Sequence, residues 1–269
     1  MMVGGVRCAR AALHLGVAAW KLSFHAPFWS EARHRREVAR WSRKVFTILG
    51  VRLAVSGEPM TARALPLMVV ANHVSWLDIH ALLAVADMRF VAKSEVLGWP
   101  VIGRLAARLG TVFVERGRRA ASRDTNAAIA ALLRTGKPVC VFPEGTTTDG
   151  HRLEPFRAAL LEPATALGAV VQPVAIRYRD AAGEPSDAAA FIGDMTVPQS
   201  LWRLARRRGL RAEVHFLAPV AAAGLDRRAL AARAERTIAG HLGVPVREQP
   251  CVPPRDIAEV AIAFDIAAR

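Results

Sequence analysis

The stretch "LPLMVVANHVSWLD", residues 65–78, decides how the chain folds. Its first half is an apolar run of the length a buried strand needs. Its second half sets Asn72 and His73 at the end of that run, with Asp78 five residues beyond the histidine. A helix beginning near Ser75 follows at once. Strand, turn and helix in that order is the repeating unit of α/β folds, and it puts His73 at a sheet edge, where functional groups gather.

The same alternation recurs on both sides of this stretch. Strands are expected near residues 51–56, 66–71, 88–92, 111–115, 138–142, 170–177 and 212–217. Helices are expected near 77–86, 99–109, 119–135, 156–167, 198–208 and 226–241. The class predicted is α/β, with a mixed, largely parallel central sheet flanked by helices over residues 50–243. Residues 181–195 read as a surface excursion, and 244–269, which opens with a proline-rich run, as an irregular C-terminal tail.

Residues 1–49 follow a different rule. In "AALHLGVAAWKLSFHAPFW" (11–29), His14, Lys21 and His25 share one helical stripe, and Leu13, Val17, Trp20 and Phe24 the opposite one. The polar interruptions and the closing Pro27 suit an amphipathic helix lying in a bilayer interface better than one crossing it. No small-residue cleavage site follows, which argues against a removable signal peptide. In "RHRREVARWSRKVFTIL" (33–49), Val38, Trp41, Val45 and Ile48 or Leu49 repeat at helical spacing. Arg33, Arg35, Arg36, Arg40, Arg43 and Lys44 surround that stripe, and each can add about 1 kcal/mol toward an anionic lipid surface. Residues 1–49 are therefore expected to form a membrane-binding anchor; the alternative is two helices packing on the domain itself.

Charge points the same way. The 269 residues carry 37 Lys+Arg against 23 Asp+Glu, a net +14, which suits a polyanionic partner: a membrane surface or a nucleic acid. The basic run "RLARRRGLR" (203–211) fits either, but there is one tyrosine and no interleaving of aromatic with basic residues for base stacking, so nucleic acid is not expected. Cys8, Cys140 and Cys251 are far apart and form no C-x-x-C pair, which argues against a disulfide framework and for a reducing compartment.

Histidine suits proton abstraction near neutral pH, best when its far nitrogen donates to a carboxylate that fixes the tautomer. Asp78 can supply that carboxylate to His73; it can also simply close a helix start with Ser75, as in the S-x-x-D capping pattern. G-x-S-x-G, G-x-G-x-x-G and P-loop signatures are absent, and no second cluster of ligands joins His73, Asp78 and His80 around a metal. A His–Asp pair with no protein nucleophile is suited to activating a hydroxyl of the substrate. Two further strand ends carry suitable groups. "FPEGTTTDG" (142–150) offers Glu144, Gly145, Thr146 and Thr147, or else is only a turn; "FVERG" (113–117) offers the Arg116 fork, or else a surface arginine.

Together these stretches resemble the lysophospholipid acyltransferases, the family containing 1-acylglycerol-3-phosphate acyltransferase. The N-H-x4-D motif is met by Asn72, His73 and Asp78, and F-P-E-G-T stands intact from Phe142 to Thr146. Phe113 with Arg116 resembles a second motif, "VVQPVAI" around Pro173 a fourth, and "AKSEVLGWPVIGRL" with Lys93 the segment between the first two. The match spans roughly residues 50–220. The resemblance implies transfer of a fatty acyl group from an acyl carrier protein or coenzyme A thioester to a lysolipid hydroxyl, with no cofactor and no metal. It makes His73 the general base and Asp78 its orienting acid, without an acyl-enzyme. Asn72, Ser75, Lys93, Arg116, Glu144, Gly145, Thr146 and Thr147 would then bind substrate, at the cytoplasmic face of the bacterial inner membrane. One departure bears on the acceptor: Thr147, Thr148 and Asp149 stand where phosphate-acceptor members continue with arginine and serine. That pattern resembles the branch acylating lyso-ornithine lipid, whose amine suits Asp149 and whose carboxylate suits Arg157 or Arg116. A non-catalytic membrane scaffold on the same fold is the remaining alternative.

Overall fold

The strand Leu67–Ala71 (β2) is buried along its whole length, and its side chains alternate between two separate cores. Val69 and Ala71 join one apolar cluster; Met68 and Val70 join the other. That arrangement requires helices on both faces, and the rest of the chain supplies them. The computed structural model describes residues 2–60, 66–99, 102–114 and 119–247. In chain order these form α1 (Met2–Phe24), α2 (Glu31–Leu49), β1 (Arg52–Ser56), β2, α3 (Leu77–Leu83), β3 (Arg89–Lys93), α4 (Ile102–Arg108) and β4 (Val112–Val114). They continue with α5 (Arg119–Arg134), β5 (Val139–Val141), α6 (Glu162–Ala166), β6 (Val170–Arg179), α7 (Val197–Ala205), β7 (Arg211–Phe216), β8 (Val220–Ala221) and α8 (Arg227–Leu242).

The sheet has 8 strands in the order β1-β7-β6-β2-β5-β3-β4, with β8 beside β6. All neighbours are parallel except β6–β7 and β6–β8. The expected mixed, largely parallel sheet flanked by helices is thus the fold. The short β8 was not foreseen, because two residues cannot show a period. On one face Phe46 and Leu49 of α2, Leu77 and Leu82 of α3 and Leu204 of α7 pack on Val69, Ala71, Tyr178 and Val214. On the other, Ile129 and Leu133 of α5 and Leu230 and Ile238 of α8 pack on Met68, Val70 and Val141. Each fully buried leucine or isoleucine contributes about 1.5–3 kcal/mol. Because β2, β3, β4 and β5 are parallel, their C-terminal ends share one edge, which carries His73 after β2, Lys93 at the end of β3 and the loop from Phe142 after β5.

The first two helices pack against this domain. Ser30 caps α2 by accepting from the Arg33 N–H, and Gly50, at φ 69°, closes it in the left-handed conformation. On α1, His14 Nε2 lies 3.0 Å from the Trp41 carbonyl and Lys21 pairs with Glu37 at 3.1 Å, so these polar groups face α2. Leu13, Val17, Trp20 and Phe24 are exposed. Among the described residues no helix is long and apolar enough to cross a membrane. In the proposed tail, Val246 bridges to Leu153, and residues 248–269 lie outside the described residues.

His80 of α3 stands edge-on to Trp41 and to Trp76, with its Nδ1 sealed off and unbonded among the described residues. Burial, with a smaller push from His14, lowers its pKa from 6.5 to about 4. The neutral ring therefore stabilises the fold fully above pH 6.5, and that contribution is lost as pH falls from 6.5 through 4. The loss reaches at most about 3 kcal/mol, and less because the residue is only half-buried. Melting curves between pH 7 and 4 should show His80→Phe losing less stability than the parent; parallel pH slopes would refute this.

Candidate active site

β2 ends at Ala71 and the chain turns sharply into α3. Asn72 secures the turn: its side-chain amide donates to the Ile176 carbonyl (2.8 Å) and accepts from the Ile176 N–H (2.7 Å), extending the β2–β6 ladder by one side chain. His73 follows, stacked on Phe142 with ring centroids 4.0 Å apart and planes 14° from parallel. Its Nδ1 lies 2.9 Å from Asp78 Oδ2, which leaves Nε2 as the nitrogen able to accept a proton. The imidazole is 18% exposed and the carboxylate fully buried.

Asp78 also serves the turn. Its Oδ2 accepts from the Val74 and Ser75 N–H groups at 2.7 and 2.8 Å, and its Oδ1 accepts from the Tyr178 hydroxyl at 2.6 Å. The two readings of "SWLD" are therefore not alternatives: one carboxylate both reaches back to the Ser75 N–H in the turn before α3 and meets the histidine, while the N-cap itself, Trp76, makes no side-chain capping bond. A buried charge with this many donors is well compensated.

The loop after β5, beside β2 in the sheet, wraps over the same turn. Glu144 is 2% exposed; its two oxygens accept from the His73 N–H (2.7 Å) and the Glu154 N–H (2.9 Å). Burial pushes its carboxyl up to about 8, against the opposing pull of those two bonds. Thr148 donates its N–H to the His73 carbonyl at 2.8 Å, and the Thr147 hydroxyl donates to the Phe191 carbonyl. Gly145 has φ +68°, and a Cβ there would lie 2.7 Å from Arg157 Cζ, so a residue without a side chain suits the position.

The residues expected to bind substrate thus divide. Asn72, Ser75 and Glu144 are buried with polar atoms engaged inside the protein, so their part is to shape the turn rather than to face an acceptor. Thr146 is exposed on the loop that covers His73, and Thr147 is half-buried and tied to Phe191. Lys93 ends β3 on the same sheet edge; Arg116 lies outside the described residues. Asp149 accepts from the His151 N–H, and Arg157 is exposed against Gly145. Sequence reasoning missed Tyr178 and the stacking of Phe142. The available signal was that the chain's single tyrosine falls just after the apolar run "VAI", between Arg177 and Arg179.

Comparison with known proteins gives concordant matches. A family model described as Acyltransferase matches residues 52–177. The lyso-ornithine lipid O-acyltransferase of Pseudomonas aeruginosa is 42% identical over 231 residues, covering 84% of this chain and 87% of that protein. The 1-acyl-sn-glycerol-3-phosphate acyltransferase of Neisseria meningitidis is 38% identical over 209 residues, covering 77% and 81% respectively. The crystal structure of the 1-acyl-sn-glycerophosphate acyltransferase PlsC from Thermotoga maritima superposes with a TM-score of 0.66 at 21% identity, over 90% of this chain and 94% of that one, which shows a common fold.

Proposed function

Because the chain belongs to the acyltransferase family, and is an O-acyltransferase, we propose that it esterifies lyso-ornithine lipid from an acyl thioester, with His73 as general base. The observation that carries the mechanism is the 2.9 Å contact between His73 Nδ1 and a fully buried Asp78. Nε2 takes the proton of the acceptor hydroxyl as that oxygen attacks the thioester carbonyl. The tetrahedral intermediate collapses, the C–S bond breaks, and the proton on His73 passes to the leaving sulfur. Products are the ester and a free thiol, with no acyl-enzyme.

The oxyanion needs donors, an effect worth about 3 kcal/mol. The N–H groups of His73, Val74 and Ser75 are already given to Glu144 and Asp78, so these three are not to spare. The Gly145 N–H goes to the Phe142 carbonyl. That directs attention to the amides of Thr146 and Thr147, on the loop covering His73.

The acceptor reading rests on Thr147, Thr148 and Asp149 following F-P-E-G-T: hydroxyls and an acid fit a zwitterionic amino-acid head better than a phosphate. Lysophosphatidic acid is the second reading, favoured by the Neisseria relative. Purified protein given both acceptors with one thioester, as acyl carrier protein and as coenzyme A conjugates, decides the matter. A higher kcat/KM for lyso-ornithine lipid is expected; preference for lysophosphatidic acid rejects it.

We further propose that α1 docks on the cytoplasmic face of the membrane. Trp20 (54% exposed), Phe24 and Phe28 (86%) project outward, and Trp202 of the adjoining α7 is exposed under Arg206. Changing Trp20, Phe24 and Phe28 together to serine should reduce flotation with anionic vesicles at least about tenfold, since each buried aromatic contributes about 1.5–3 kcal/mol. Undiminished flotation would exclude this face.

A further inference from the structure

Tyr178 is the only tyrosine in the chain, and β6 carries it, 3% exposed, to the side of Asp78 away from His73. Its hydroxyl donates to Oδ1 at 2.6 Å while Oδ2 holds the imidazole. The geometry assigns Tyr178 as a positioning residue for acyl transfer: through Asp78 it sets the orientation and the electron density that His73 meets. This rests on the reading of His73 as the base.

Two physical reasons support the assignment. The last torsion of an aspartate is broad, so a carboxylate held through one oxygen alone would swing. A donor on each oxygen pins its plane, and the imidazole inherits that direction. A hydrogen bond to Oδ1 also draws negative charge away from Oδ2, so its strength adjusts how firmly Asp78 holds a protonated imidazole. Burial, reinforced by the charge of Asp78, holds the phenol well above its ordinary pKa, so it remains a donor across the working range. The other titratable groups near this cluster are Glu144, on the loop after β5, and Cys140 of β5, whose thiol burial pushes up. Both stay unchanged in the variants below.

The test uses the full chain. Tyr178→Phe keeps the ring and removes the donor. Kinetics should show kcat lowered about tenfold with both KM values held within about twofold. The acidic limb of the kcat/KM profile should move to higher pH, because Asp78 then holds the protonated ring more firmly. Since there is one tyrosine, growth on fluorotyrosine alters this phenol alone and strengthens its donated bond; the same limb should then move to lower pH. A limb unmoved by either change overturns the proposal, and the fluorotyrosine protein decides alone should Tyr178→Phe not fold. His73→Ala, assayed alongside, separates the two ideas. An active His73→Ala removes the base assignment itself, whereas an inactive one beside silent Tyr178 changes removes only the role given to the tyrosine.

Discussion

His73→Ala is expected to lower kcat about 10³-fold while leaving the fold intact. The rate loss is the usual contribution of a positioned general base, the part proposed for His73. The modest structural cost follows from the surroundings. The ring is partly exposed and stacks on Phe142, an interaction worth about 0.5–1.5 kcal/mol beyond its area. Asp78 would still keep its bonds from Val74, Ser75 and Tyr178, so no buried charge is stranded. Acyl-transfer kinetics and a thermal melt on the same preparation check both halves. Activity within tenfold of the parent would remove His73 from the chemistry.

Asp78→Asn is expected to damage rate and stability together, and that joint loss distinguishes it from the histidine change. The carboxylate accepts from the His73 ring and two backbone N–H groups on one oxygen and from Tyr178 on the other. An amide has one acceptor oxygen and turns a donor toward whatever faced the second. Whichever way it flips, a buried donor loses its acceptor, at about 1–3 kcal/mol. The imidazole also loses the group that fixes its tautomer, for which about 10³-fold or more in kcat is expected. Chemical denaturation beside steady-state kinetics reads both losses. A variant of parental stability and reduced rate would mean that the turn does not depend on the carboxylate as the bonds to Val74 and Ser75 imply.

Much of this molecule was legible before any coordinates. The alternation of short apolar runs with helical stripes foretold the strands and helices, because burial on both faces leaves runs such as residues 67–71 with no polar position. The reversed pairing of β7 against β6 was not legible, since strand direction depends on the path taken by residues 180–210 rather than on any local pattern. In the site, His73 and Asp78 stood out through their spacing. The roles of Asn72, Ser75 and Glu144 did not, because a polar residue at a strand end looks alike whether it faces a substrate or braces a turn.

Taken alone, the sequence determined the layer order and singled out His73 and Asp78 as the pair proposed to act, because periodicity and residue chemistry are local properties. Tertiary structure decided which oxygen of Asp78 meets which donor, that Glu144 is a brace between two loops, and that a tyrosine 100 residues away completes the pair. Those outcomes depend on neighbouring strands bringing distant residues to one edge, and hydrogen-bond partners across a sheet are set by pairing rather than by distance along the chain.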